Sequence, residues 1–132
     1  MAVSGNFSLL AEAMHLCGDD LYFWSGNDDQ IVPLMAMGGK GVISVLSNVA
    51  PTETHRLTQL CLEGNYEEAS KLQLSYLPLM NALFCEVNPI PVKKAMEQLG
   101  WKVGGLRLPL VEVTDEHAAY IQSELTRMGC HI

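Results

Sequence analysis

The stretch SGNDDQIVPLMAMGGKGVISVLSNVAP, residues 25–51, shows the alternation of apolar runs and helical segments that decides the fold. It begins at the end of one apolar run, passes through a helical segment behind paired aspartates, and turns at Gly38-Gly39 into a second apolar run, GVISVLS. Short apolar runs bounded by turn residues are typical of buried strands. Because a helix separates the two runs with short connections, the stretch predicts parallel strands joined by a crossover helix.

Upstream of this stretch the same alternation continues. The aromatic-rich run LYFWS, residues 21–25, predicts a strand. Residues 9–17 repeat apolar side chains at helical spacing behind Ser8, a residue type that favours helix N-caps. The predicted order over the first half of the chain is therefore helix, strand, helix, strand.

Downstream of Pro51 the alternation stops, and four further helices are predicted over residues 51–63, 66–83, 91–99 and 115–128. Asn65 with Glu68, and Thr114, supply N-cap residues for two of them. The Gly- and Pro-containing segment WKVGGLRLPLVEV before the last helix predicts a packed loop. The chain is thus expected to be α/β and predominantly helical. The helical positions expected to be largely buried are Leu72, Leu79, Leu83, Met96, Leu99, Ile121 and Leu125.

Composition limits the class of protein. The 132 residues are 48% hydrophobic and 17% charged, as in an ordinary domain with a real core. The net charge is −7, and the eight Lys and Arg residues are scattered along the sequence, which argues against nucleic-acid binding. No basic region precedes an apolar leader, and no apolar window is long enough to span a bilayer. We therefore expect a cytoplasmic protein with neither nucleic acid nor membrane as a partner.

The cysteines and histidines show no pattern of a disulfide framework or a metal site. Cys17, Cys61, Cys85 and Cys130 lie tens of residues apart without a CxxC pair, and the four histidines show no HxH or HxxxH spacing. Free cysteines on apolar helix faces behave as small hydrophobes. We expect buried, reduced thiols, no metal site and no cofactor.

Three stretches together closely resemble one enzyme family. They are residues 25–51, NPIPVKKAMEQLG at residues 88–100, and LRLPL at residues 106–110. They resemble the C-terminal part of dihydrodipicolinate synthase, a pyruvate-dependent class I aldolase of the N-acetylneuraminate lyase superfamily. The resemblance implies an incomplete (β/α)8 barrel over residues 1–64, with the last two strands and their helices, and a C-terminal three-helix domain over residues 65–132.

The family reaction condenses pyruvate with aspartate semialdehyde through a lysine Schiff base, a step of lysine biosynthesis. The family's lysine lies in a segment of Lys-Glu-Ala-Ser-Gly-Asn type, and alignment on Ser4-Gly5-Asn6 puts Met1 at the lysine position. None of the remaining lysines matches the C-terminal barrel face, where barrel active sites lie. Schiff-base chemistry needs an activated amine in that place. The resemblance therefore implies a truncated chain without a catalytic residue, inactive on its own.

Four positions match the family's substrate pocket. Gly26, Asn27 and Asp28 follow the seventh strand, where the family faces its second substrate, and Ile43 matches a position beside bound pyruvate. Considered without the family, Asp28 and Asp29 are a helix N-cap and a first-turn acid, which the helix dipole favours. The two interpretations are compatible in an intact barrel, and both stay open.

Missing barrel strands would leave strand edges and inward faces uncovered, and bare edges promote association. We expect a homodimer or higher oligomer, with Phe7, Met35 and Met37 from the first two helices in the contact. Two alternatives remain: a non-catalytic, self-associating helical module, and one half of a split enzyme completed in trans by an N-terminal half-barrel.

Overall fold

A computed structural model describes residues 2–3 and 5–130 of the chain, which form a small parallel sheet and a set of α-helices. The strands are β1 (Ala2–Val3), β2 (Trp24–Ser25) and β3 (Gly41–Val42). The helices are α1 (Phe7–Cys17), α2 (Ile31–Ala36), α3 (Pro51–Leu62), α4 (Tyr66–Ala82), α5 (Ile90–Gln98) and α6 (Asp115–Arg127).

The sheet has the order β1–β2–β3 with parallel neighbours, and Trp24 lies opposite both Ala2 and Gly41. Helix α1 joins β1 to β2, and α2 joins β2 to β3, which confirms the predicted crossover pattern. The expectation of two strands is wrong, because β1 precedes α1 and pairs with β2. Strand β2 therefore has a neighbour on each side, and its edges are not bare.

The strands are shorter than the apolar runs that predict them. Leu21 has extended backbone angles (φ −131°, ψ 141°), yet β2 begins only at Trp24. Strand β3 ends at Val42, and Val45 already has helical angles (φ −84°, ψ −41°) before a 3₁₀ turn at Leu46–Asn48. Extended residues belong to a strand only where a neighbour completes the hydrogen-bond ladder, so part of each run stays outside the sheet.

Helix boundaries follow the capping residues. Asn6, rather than Ser8, caps α1, since its Oδ1 accepts a hydrogen bond from the Leu9 N–H at 3.1 Å, and the helix begins two residues before the predicted start. Asn65 and Thr114 cap α4 and α6 as predicted. The bounds of α3 to α6 agree with the prediction to within one residue. No helix among the described residues has the length and apolarity needed to cross a membrane.

One continuous core joins α2 to α6. Helix α4 packs against α2, α3 and α6, and α5 packs against α6. The positions predicted to be buried divide into two groups, four that are buried (Leu79, Leu83, Ile121, Leu125) and three that are partly buried against the core (Leu72, Met96, Leu99). A second, smaller cluster of Leu10, Phe23 and Leu34 fixes α1 against the sheet and α2. The prediction of separate domains at residues 1–64 and 65–132 stays a prediction.

Glu86 joins the segment after α4 to the start of α6. Its Oε1 accepts hydrogen bonds from the N–H and the hydroxyl of Thr114, at 3.1 and 3.2 Å, and lies 2.6 Å from His117 Nδ1. The hydrogen bond from His117, followed by that from the Thr114 backbone, lowers the pKa of Glu86 from its ordinary value. These hydrogen bonds connect the N-cap residue of α6 to the segment that follows α4.

Candidate functional site

The polar loops after β2 and β3 meet at one edge of the sheet. Ser25 ends β2 and is followed by Gly26 and Asn27, while Ile43 directly follows β3. The Ile43 N–H donates to the Ser25 carbonyl at 2.8 Å. Because the strands are parallel, their carboxyl ends lie side by side, which is the edge where barrel enzymes place their sites.

A tight turn fixes the loop after β2. The buried hydroxyl of Ser25 donates to the Asn27 carbonyl at 2.7 Å and accepts from the Asn27 N–H at 3.2 Å. Asn27 is half-buried and, together with Asp29 and Phe84, lines a cavity of about 220 Å³ between this loop and the end of α4. The turn therefore presents the Asn27 side chain at a concave surface.

The Asp28 side chain joins the two loops. It is only 2% exposed, and its Oδ2 accepts hydrogen bonds from the backbone N–H groups of Val45 and Leu46, at 3.0 and 2.9 Å. Asn27 occupies the N-cap position of the 3₁₀ turn at Asp28–Gln30 and makes no side-chain cap bond there. The interpretation of Asp28 as the helix N-cap is therefore wrong, whereas Asp28 and Asp29 do lie in the first turn.

The second carboxylate oxygen of Asp28, Oδ1, is buried and has no hydrogen-bond partner within the described part of the chain. Leaving a buried acceptor unpaired costs free energy, more so when it is charged. The two N–H groups on Oδ2 offset part of this cost, because hydrogen bonds to a carboxylate are strong. Asp28 is thus a buried acid between the two strand ends, with one carboxylate oxygen hydrogen-bonded and the other without a partner among the described residues.

Gln73 is a site residue that sequence reasoning missed. It lies on α4, is 8% exposed, accepts a hydrogen bond from the Val32 N–H at 2.9 Å and donates one to the Asp29 carbonyl at 2.8 Å. These bonds fix the backbone that leads from the Asp28 loop into α2. The available signal was its position four residues after Ala69, on the same face of α4.

The four predicted pocket positions have different surroundings. Gly26 and Asn27 are half-buried, Asp28 is buried, and Ile43 is 69% exposed. The structure thus brings the four residues to one edge of the sheet, with the Ile43 side chain open to solvent. Their role in binding substrate stays a prediction.

None of the five described lysines belongs to the loops that follow β2 and β3. Lys40 precedes β3 at its amino end, with its Nζ 5.8 Å from the centre of the Tyr22 ring. Lys71 lies on α4 and Lys94 on α5. Lys71 donates hydrogen bonds to the carboxylates of Glu67 and Glu68, and Lys94 donates one to Glu97; these bonds raise the pKa of both lysines. A Schiff-base amine needs a lowered pKa. Met1, the position expected for the family's lysine, lies outside the described residues.

The four cysteines are free thiols, of which Cys61 is buried as expected, whereas Cys17, Cys85 and Cys130 are only partly buried. Burial raises the pKa of the Cys61, Cys85 and Cys130 thiols. Within residues 2–3 and 5–130, no three His, Cys, Asp or Glu side chains come together as a metal site.

Parallel strands that alternate with helices, with polar loops at their carboxyl ends, are the pattern of proteins built from βα units. The family model of the dihydrodipicolinate synthetase family matches residues 2–128. The 4-hydroxy-tetrahydrodipicolinate synthase of Lachnoclostridium phytofermentans is 51% identical over 126 residues, which cover 96% of this chain and 43% of that enzyme. The enzyme of the same name from Caldicellulosiruptor saccharolyticus is 50% identical over 98% of this chain and 43% of its own length. The chain belongs to the dihydrodipicolinate synthetase family and spans less than half the length of these relatives.

Solved structures agree with this assignment. A dihydrodipicolinate synthase from Aquifex aeolicus superposes with a TM-score of 0.94 at 34% identity, over 100% of this chain and 46% of that one. A structure described as the first monomeric dihydrodipicolinate synthase variant superposes with a TM-score of 0.83 at 39% identity, over 91% of this chain and 40% of that one. The fold seen here is therefore part of the dihydrodipicolinate synthase fold, a (β/α)8 barrel.

Proposed function

We propose that the 132-residue chain corresponds to the last βα units and the C-terminal helices of a dihydrodipicolinate synthase. The reaction of that enzyme condenses pyruvate with aspartate semialdehyde. The observation that supports this most is the meeting of the loop Gly26–Asn27–Asp28 with Ile43 at the carboxyl ends of β2 and β3, within a match over residues 2–128. In this proposal Asn27 and its neighbours face the second substrate, and Ile43 lies beside pyruvate.

We further propose that the 132-residue polypeptide does not perform this reaction by itself. Lys40 is at the amino end of β3, and the ammonium groups of Lys71 and Lys94 are ion-paired with carboxylates 2.9 and 2.8 Å away. Lys93 and Lys102 line a cleft beside α5 that contains no strand residue. Schiff-base formation requires a deprotonated amine beside the bound ketone, and none of these five lysines meets that requirement.

Trapping with pyruvate and sodium borohydride tests this proposal. We expect the intact mass of the 132-residue chain to stay unchanged, while the Lachnoclostridium phytofermentans enzyme treated in parallel gains one pyruvate-derived adduct. The variant Met1→Lys serves as a second sample and should remain without turnover, because one amine alone does not orient both substrates. A stoichiometric adduct on the unaltered chain would show that one of its own lysines is catalytic.

Self-association is the second part of the proposal, and exposed apolar side chains support it. Leu16 on α1 and Met37 after α2 are exposed, as is Ile43 at the sheet edge. Met35, which was expected in this contact, is buried inside the chain and is therefore excluded. Apolar surface left in water forfeits about 25 cal/mol per Å², so a second copy or an N-terminal half-barrel that covers these residues stabilises the chain.

Light scattering at micromolar concentration measures the association. We expect a mass of at least two chains, and a shift towards 14.5 kDa in the variant Leu16→Glu. Leu74→Glu is the matched control, since Leu74 is also largely exposed (64%, against 75% for Leu16) but lies on α4 rather than α1. A 14.5 kDa species for the unaltered chain would contradict self-association. Adding the complementary part of a relative, followed by pyruvate trapping, then tests completion in trans.

A further inference from the structure

A cleft of about 320 Å³ lies between α5 and the loop that follows it. Lys93 and Lys94 line one side from α5, and Trp101 and Lys102 line the other from the start of the loop. None of its lining residues belongs to a strand or to the polar loops at the strand ends. The cleft is therefore separate from the candidate site described above.

Positive charge gathers in this cleft on a chain whose net charge is −7. Three of the eight Lys and Arg residues line it, against two acids, Glu97 and Glu112. Both acids act on Lys94, whose Nζ lies 2.8 Å from a Glu97 oxygen and whose pKa is raised by Glu97 first and then by Glu112. Lys94 is thus the lysine of the cleft that is paired with an acid, and Lys93 and Lys102 remain as further positive groups.

The other two ammonium groups keep their charge available. Lys93 donates to the carbonyl of Gly105 at 2.6 Å, a neutral partner that joins α5 to the loop. Lys102 forms no ion pair within the described part of the chain. An ammonium bonded only to a neutral carbonyl, and a second one without a carboxylate, together favour an anionic ligand.

An aromatic residue, Trp101, lines the cleft together with these charges. Trp101 is 54% exposed, and its backbone is set by a Schellman motif at the end of α5. In that motif the Trp101 N–H donates to the Met96 carbonyl at 2.9 Å, and the N–H of Gly100, which has φ 89°, donates to the Glu97 carbonyl at 2.8 Å. The motif fixes the point from which the side chain leaves the backbone, and an indole ring offers a flat apolar surface.

We propose that this cleft binds a small organic anion with a planar apolar part. The anionic group interacts with Lys93 and Lys102, and the planar part lies against Trp101. A volume of about 320 Å³ falls within the range typical of small-molecule sites.

NMR titration of the ¹⁵N-labelled chain with 2-naphthoate tests the proposal. We expect saturable shifts of the Trp101 indole N–H and of the Gly104 and Gly105 amides, and unchanged signals from residues near Asp28. The variants Lys102→Gln and Trp101→Leu should each weaken the affinity by at least about fivefold, the effect of losing one contact with a charged group or a ring.

Two controls separate a site from general attraction to lysine. Lys71→Gln makes the same change of charge on α4, where the ammonium is paired with Glu67 and Glu68, and should leave the affinity within about twofold. Neutral 2-naphthamide should bind far more weakly than the carboxylate. The proposal is overturned by unsaturable or dispersed shifts, by equal losses in the Lys71 and Lys102 variants, or by equal affinity for the amide.

Discussion

Replacing Asp28 is the sharpest test of the site geometry. In Asp28→Ala, the N–H groups of Val45 and Leu46 lose their acceptor, and Leu46 is fully enclosed. Each buried N–H left unpaired costs about 1–3 kcal/mol. The substitution also removes a buried carboxylate whose Oδ1 has no partner among the described residues, and this offsets part of the destabilisation. We expect a net destabilisation of about 3 kcal/mol.

The variant Asp28→Asn separates the hydrogen bonds from the charge. Its side-chain oxygen can accept from both N–H groups, while the amide nitrogen takes the place of the unpartnered Oδ1. We expect a loss of about 1 kcal/mol or less. Asp29→Asn is the matched control, because Asp29 is exposed and its hydrogen bond with Gln73 is made by the backbone carbonyl rather than the side chain. Its effect should stay within about 0.5 kcal/mol.

Urea unfolding followed by circular dichroism measures these differences. Protein concentration must be equal for all variants, since self-association makes the midpoint concentration-dependent. For a chain of this length, 3 kcal/mol corresponds to about 10 °C in thermal midpoint. Equal losses for the Ala and Asn variants would show that the carboxylate charge, and not the two N–H bonds, determines the stability of this loop.

Two further predictions concern the helices. Leu83→Ala should cost about 2–5 kcal/mol in unfolding free energy, because Leu83 is 0% exposed in the core. Leu74→Ala, on the exposed side of α4, should cost less than about 0.5 kcal/mol. A negligible effect of Leu83→Ala in urea unfolding would mean that Leu83 packs elsewhere. The hydrogen bond from His117 is the main cause that lowers the pKa of Glu86 in the folded chain. Ionised Glu86 therefore stabilises the fold above its unfolded-state pKa, and this stabilisation is lost as pH falls through the lower folded-state pKa. Acid unfolding should therefore be less steep below about pH 4.5 in Glu86→Gln and in His117→Gln than in the unaltered chain, and identical pH profiles would contradict this.

The helices could be predicted because their signals are local. Asn65 and Thr114 accept hydrogen bonds from N–H groups three residues ahead, so the sequence alone contains both partners. The start of α1 was wrong because Asn6 and Ser8 are both good N-cap residues, and only the tertiary structure selects Asn6. Apolar periodicity likewise identified the buried Leu79, whose environment is set by neighbouring helices.

The candidate site was predicted only in part, because its hydrogen bonds join residues far apart in sequence. Asp28 bonds to N–H groups 17 and 18 residues away, and Gln73 bonds to backbone groups 41 and 44 residues away. No periodicity or cap pattern contains such pairs. The same cause explains the length of β3, since the N–H groups of Val45 and Leu46 bond to Asp28 rather than to a neighbouring strand.

Two side chains hold the Asp28 loop in place, one from the loop itself and one from α4. The Asp28 carboxylate accepts a hydrogen bond from the backbone just after β3. Gln73, on α4, donates to the Asp29 carbonyl and accepts from the Val32 N–H. Gln73 belongs to residues 65–132, and all of these partners belong to residues 1–64, so separating the chain at that boundary would break both Gln73 bonds. The Asp29 carbonyl would then lose its donor and the Val32 N–H its acceptor, and a group that stayed buried without its partner would cost about 1–3 kcal/mol. A pocket at the strand ends of this chain therefore depends on α4 as much as on the strands that carry its polar residues.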